Sequence, residues 1–176
     1  MNTHIGASIG LLLLSGAGLG ISTDEAAAQQ KYSVTRPPTT TSQYLQEHAI
    51  DVDDIPGHQV RVYEIRYSFP ARDLAFGGVF VKQSLTRGSS DYIGGNGPFT
   101  TYTVYTLEDG NRVFSRSTGT TQADPDGTRH FTFVENYLGG TGKFKGIRGQ
   151  MRGSGSRAPG AKSLEQQSAG EYWLDE

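Results

Sequence analysis

From residue 57 onward, hydrophobic and polar positions alternate with a period of two, the spacing of strands that bury one face. Residues 59–67 carry the pattern most clearly: one face holds Val60, Val62, Glu64 and Arg66, the other Arg61, Tyr63, Ile65 and Tyr67. The same alternation predicts strands over 74–85, 99–107, 112–118, 128–138, 144–152 and 170–174, with no long helix among them. Turn chemistry separates these segments. Asp109-Gly110 and Asp124-Pro125-Asp126-Gly127 tolerate the backbone of tight hairpins. Gly77-Gly78, inside the second segment, predicts a bulge or a sharp corner. The Gly- and Ser-rich stretches 86–97 and 154–167 read as loops. Alternation of this kind fits a two-sheet sandwich as well as a barrel.

The first 56 residues follow a different rule. Residues 5–21 are apolar and glycine-rich around Leu11-Leu12-Leu13-Leu14, and Ala26-Ala27-Ala28 follows. That order predicts an export signal over 1–28, cut near Ala28, although Met1-Asn2-Thr3-His4 ahead of it contains no Lys or Arg. The mature protein is then secreted or periplasmic, with no membrane attachment after cleavage. Residues 29–56 are polar and contain Arg36-Pro37-Pro38, so they read as an irregular N-terminal extension, either a linker or a strap lying over the domain at 57–176.

Composition narrows the chemistry. The absence of cysteine excludes disulfides, thiolate catalysis and cysteine–zinc sites. Without residues 1–28 the chain carries 16 acidic and 16 basic residues, a balance that gives no electrostatic footprint for nucleic acid. The histidines, His4, His48, His58 and His130, show no metal-ligand spacing. Gly139-Gly140-Thr141-Gly142 lacks the Lys-Ser/Thr ending of a phosphate cradle and reads as a turn.

Three segments carry a family likeness. Gly139-Gly140-Thr141-Gly142-Lys143-Phe144-Lys145-Gly146-Ile147-Arg148-Gly149 resembles the glycine-rich turn and strand of the allene oxide cyclase and dirigent superfamily. Ser90-Asp91-Tyr92-Ile93-Gly94-Gly95-Asn96-Gly97-Pro98-Phe99 is similar to a dirigent segment in position and glycine pattern. Tyr63-Glu64-Ile65 resembles the strand that carries the glutamate of the plant cyclases, with Arg66 standing where those cyclases have asparagine. The resemblance covers roughly 58–176. It implies an all-β fold, a single eight-stranded antiparallel β-barrel, assembled as a homo-oligomer (dimer or trimer). It also implies an apolar small molecule as partner and cofactor-free cyclisation or isomerisation, with the barrel holding a reactive molecule in one conformation.

On that reading the candidate catalytic residues are Glu64 and Arg66, and the candidate ligand contacts are Val62, Phe80, Tyr102, Tyr105 and Phe133. A carboxylate facing an apolar interior can take a proton or stabilise developing positive charge. If that face points outward, Glu64 and Arg66 form an ordinary surface pair instead. Tyr102 and Tyr105 lie on opposite faces, so only one of them reaches the interior. On the strand at 128–138, Phe131, Phe133, Glu135 and Tyr137 form the more apolar face, opposite His130 and Asn136. A non-catalytic alternative stands beside these expectations: a lipocalin-like carrier or a secreted structural barrel.

Overall fold

The computed structural model describes residues 30–39, 42–161 and 163–175. The expected export signal lies outside the described residues. The described chain is all-β apart from one short 3-10 turn at Gly142–Phe144. Ten strands form one antiparallel sheet: β1 (Lys31–Thr39), β2 (Ser42–Asp51), β3 (His58–Ser68), β4 (Ala75–Phe76), β5 (Val79–Ile93), β6 (Gly97–Leu107), β7 (Arg112–Ala123), β8 (Arg129–Gly140), β9 (Ile147–Arg157) and β10 (Glu165–Leu174). The order across the sheet is β1-β10-β9-β8-β7-β6-β5-β3-β2, with β4 paired to β5 off that path.

β1 and β2 therefore sit at opposite edges of the sheet, and no ladder joins them. Yet only residues 40 and 41 separate Thr39 from Ser42. An extended chain covers about 3.3–3.6 Å per residue, so the two edges meet within about 11 Å at that end. The sheet must curl. Side chains cross the seam where backbone pairing does not. Tyr67 of β3 donates to the Gln166 amide oxygen of β10 at 3.1 Å, and the Leu164 N–H donates to Ser42 Oγ at 2.6 Å. The Arg36 guanidinium of β1 lies 4.3 Å from the Tyr67 ring centre.

Several expected loops are strands, for one physical reason. Residues 86–91 continue β5, with Thr86 and Ser90 buried in the curl and Arg87, Ser89 and Asp91 outside. Both faces are polar there, so no hydrophobic alternation marks the strand. The segments 153–157 and 165–169 likewise belong to β9 and β10. The extension at 29–56 also carries regular structure, as β1 and β2. Prolines are tolerated in β1 because it is an edge strand. Pro37 and Pro38 together face the single residue Gln167, a bulge at which a missing N–H costs no ladder bond. Gly77-Gly78 forms the two-residue turn between β4 and β5, both with positive φ (53° and 75°).

The interior is divided along its length. One end is packed solid by Leu74, Phe76, Leu107, Val113, Phe144 and Ile147. Phe76, carried inward by the β4–β5 hairpin, is fully buried. Its ring centre lies 5.4–5.6 Å from those of Tyr105, Tyr137 and Tyr172, distances at which tilted and edge contacts add to area burial. Toward the other end, inward rings rest on strand glycines directly across the ladder: Tyr63 on Gly88, Phe99 on Gly119, Phe133 on Gly153 and Phe131 on Gly155. A Cβ at Gly153 would stand 2.3 Å from Phe133 Cζ, so these glycines are what let the aromatic side chains fit inside.

Candidate functional site

Beyond the Phe76 plug the interior opens into a cavity of about 90 Å³. Its walls come from every long strand of the sheet. Tyr63, Ile65 and Tyr67 of β3 face Phe131, Phe133 and Glu135 of β8 across it. Hydroxyls line much of the rest: Thr86, Thr101, Thr103, Ser117 and Thr121. The apolar chamber implied by the family resemblance is thus a mixed one, aromatic and hydroxylic. Its half-buried arginines, Arg61, Arg129 and Arg157, also border a surface groove beside Glu47, which makes that end the mouth.

Glu135 is the acid of this cavity. It is only 2% exposed and sits where the hollow meets the packed end. β8 puts it there through the alternation that also turns Phe131, Phe133 and Tyr137 inward. Tyr105 donates to Glu135 Oε1 at 2.6 Å, and Ser115 Oγ donates to the same oxygen. Burial raises the carboxyl above its ordinary range, because an ion there loses its hydration. Hydrogen bonds from Ser115 and Tyr105, the Arg36 charge and a bond from Ser117 pull the other way without reversing the shift. Burial also pushes the Tyr105 phenol well above its usual value, with the Glu135 charge adding to the effect, so Tyr105 remains a neutral donor. The result is an acid that stays protonated to higher pH than an exposed glutamate, facing a space a small molecule can occupy.

The expected catalytic pair is placed elsewhere. Glu64 and Arg66 point to the outer face, because the bulkier Tyr63, Ile65 and Tyr67 take the interior side of β3. Glu64 Oε2 accepts from Arg87 Nε at 2.7 Å, its direct neighbour across the ladder, and Arg66 is exposed. Val62 is 52% exposed and Tyr102 54% exposed. These two join Glu64 and Arg87 along a shallow outer groove. Phe80 lies on the β4–β5 hairpin, capped by the Arg72 guanidinium at 4.3 Å, and does not line the cavity. Tyr105 and Phe133 are the expected contacts that do. The lumenal acid is therefore Glu135 rather than Glu64. The periodicity of 128–138 had already put an acid on the more apolar face, and that was the signal available for it.

Arg36, Arg61, Arg129 and Arg157 also escaped the sequence reading, and all four line the cavity. Arg36 is 2% exposed, stacked on Tyr67 and 5.1 Å from the Phe69 ring. Arg157 stacks on Tyr44 at 4.1 Å and donates from Nε to the Ala161 carbonyl at 2.9 Å. Arg61 pairs with Glu47. Among the described residues no cluster of three His, Cys, Asp or Glu could hold a metal ion. Comparison with known proteins returns no matching family model, no matching curated protein and no matching solved structure.

Proposed function

We propose that this is an exported binding barrel of the allene oxide cyclase and dirigent type, whose cavity confines a small unsaturated molecule and directs its cyclisation or isomerisation without a cofactor. The observation that carries the reading is Glu135. A buried acid that holds its proton to higher pH than an exposed glutamate, and is held by two hydroxyl donors, can protonate a bound molecule or accept a proton back once charge develops on it. The aromatic walls supply apolar contact, and the hydroxyls of Thr101, Thr103 and Ser117 supply orientation. Each enclosed water needs about 10–15 Å³ of free volume, so 90 Å³ corresponds to about six to nine waters. A single ring or a short chain fits, and the rest of a longer ligand would extend through the mouth.

Purification from the native source followed by native mass spectrometry tests the reading. A retained small molecule is expected. The cavity-filling variant Ser117→Phe should lose it while still folding. Equal retention by both proteins would place the ligand outside the cavity and refute the assignment. N-terminal sequencing of that material, with Gln29 expected first, tests export.

A carrier without catalysis is the second reading. It is favoured by the outward position of Glu64, which removes the acid that the cyclase likeness identifies. Glu135→Gln separates the two: it should abolish conversion of the retained molecule but leave its retention intact, whereas a carrier shows no conversion in either protein.

A further inference from the structure

The cavity is cationic beyond what its fold requires. Arg36 is a buried guanidinium whose Nε and Nη2 have no hydrogen-bond partner. Aromatic faces cover it through Tyr67 and Phe69, but stacking leaves the in-plane N–H groups unsatisfied. No carboxylate lies within ion-pair distance of it among the described residues; Glu135, the acid of the same cavity, feels the Arg36 charge but does not reach it as an ion-pair partner. A buried charge left in this condition is costly. At the mouth, Arg129 and Arg157 stand directly opposite each other in the β8–β9 ladder, a like-charge placement that costs stability. Burial and the charges of Arg129 and Arg157 together depress the Arg61 guanidinium. Glu47 offsets one of these mouth cations through its pair with Arg61.

Both features have one explanation. We infer that the cavity takes a compact organic anion, a small ring or short unsaturated chain bearing a carboxylate, whose charged end is received at the floor by Arg36 Nε and Nη2. The mouth arginines draw the anion in, because clefts lined by one sign of charge raise the local concentration of the opposite sign. The planar guanidinium offers a fork that matches a carboxylate. Tyr67 and Phe69 hold that fork in place from its face. This inference rests on the cavity being the ligand site and adds the class of ligand and its orientation, anion inward.

Calorimetric titration of the purified mature protein with benzoate, benzamide and methyl benzoate tests it. Benzoate is expected to bind at least tenfold more tightly than its two neutral counterparts. Arg36→Met should bring benzoate down to their level, while Arg129→Gln should mainly weaken the salt dependence of association. In the wild-type protein the Arg36 Nε–H resonance should shift on adding benzoate, a readout that holds even if Arg36→Met does not fold. Equal binding of benzoate and benzamide would overturn the anion inference and leave the ligand-binding reading standing. Binding by none of the three would overturn both. Benzoate binding that leaves the Arg36 resonance still, or that is lost in Arg129→Gln rather than Arg36→Met, would put the anion at the mouth and overturn the orientation.

Discussion

Replacing Glu135 by Gln separates a buried acid from a buried polar group of the same shape. Gln keeps a carbonyl oxygen able to accept from Tyr105 and Ser115, so packing and both donors survive. What disappears is the charge. The folded-state pKa of Glu135 is raised above its ordinary 4.5, so the native protein holds a proton that the unfolded chain has released. By linkage the stabilising contribution of the protonated acid is fully present below pH 4.5 and is lost as pH rises through the raised folded-state value. Glu135→Gln has no such loss. Desolvating an incompletely compensated polar or charged group costs about 1–3 kcal/mol, which is the stabilisation expected of the variant once the wild-type carboxyl ionises. For a domain of this size each kcal/mol moves Tm by about 2–4 °C, so the variant should melt about 2–12 °C higher at pH 8. At pH 4 the two proteins should melt together. Parallel calorimetric scans from pH 4 to 8 measure the difference, in which other titrating groups cancel. A variant that melts lower at pH 8, or a difference that does not change with pH, would refute the reasoning.

Other perturbations reach other parts of the account. Glu64→Gln breaks only a partly exposed cross-strand pair with Arg87, so urea unfolding should change by less than about 1 kcal/mol, and retention of the cavity ligand should not change. Phe76→Ala removes the fully buried plug and should cost about 3–5 kcal/mol in the same assay. Gly88→Ala would place a Cβ 2.7 Å from both Thr101 Cγ2 and the Tyr63 ring, costing about 1–3 kcal/mol; a double-mutant cycle with Tyr63→Ala should recover part of that. His58 bridges Asp54 at 2.5 Å and Asp91 at 2.7 Å, and these bonds, Asp91 first, raise its pKa above 6.5. Its clamp between the β2–β3 connection and β5 is therefore complete below pH 6.5 and weakens as pH rises through the raised value. An NMR titration should place its midpoint above 6.5, and His58→Gln should remove that segment of the stability–pH curve.

The strands that read cleanly from sequence are those whose two faces differ. β8 is the clearest, with Phe131, Phe133 and Tyr137 on one face and His130, Thr132 and Asn136 on the other, and the Asp109-Gly110 turn lies where its chemistry demands, with Gly110 at φ 84°. Parity was harder than strand identity. On β3 both faces carry charge and apolar groups, and only the size of Tyr63 and Tyr67 against Val60 and Val62 decides which turns inward. Strands whose interior face is hydroxyl or glycine, such as 86–91 and 153–157, carry no hydrophobic signal, because their burial is set by rings on neighbouring strands. Arg36 was hidden for another reason. Its neighbours Pro37 and Pro38 argue against a strand, and only the edge position and bulge of β1 make one possible there. Arg129 and Arg157 lie 28 residues apart in the chain and come together only through the β8–β9 register.

A crystal structure of the mature protein soaked with benzoate tests the central claim most directly, because it distinguishes the interior from the outside of the same sheet. Density for the ring among Tyr63, Phe133 and Thr101, with its carboxylate at Arg36 and its edge against Glu135, is the predicted result. Density confined to the outer groove beside Val62, Glu64, Arg87 and Tyr102, with the interior left to water, would contradict it.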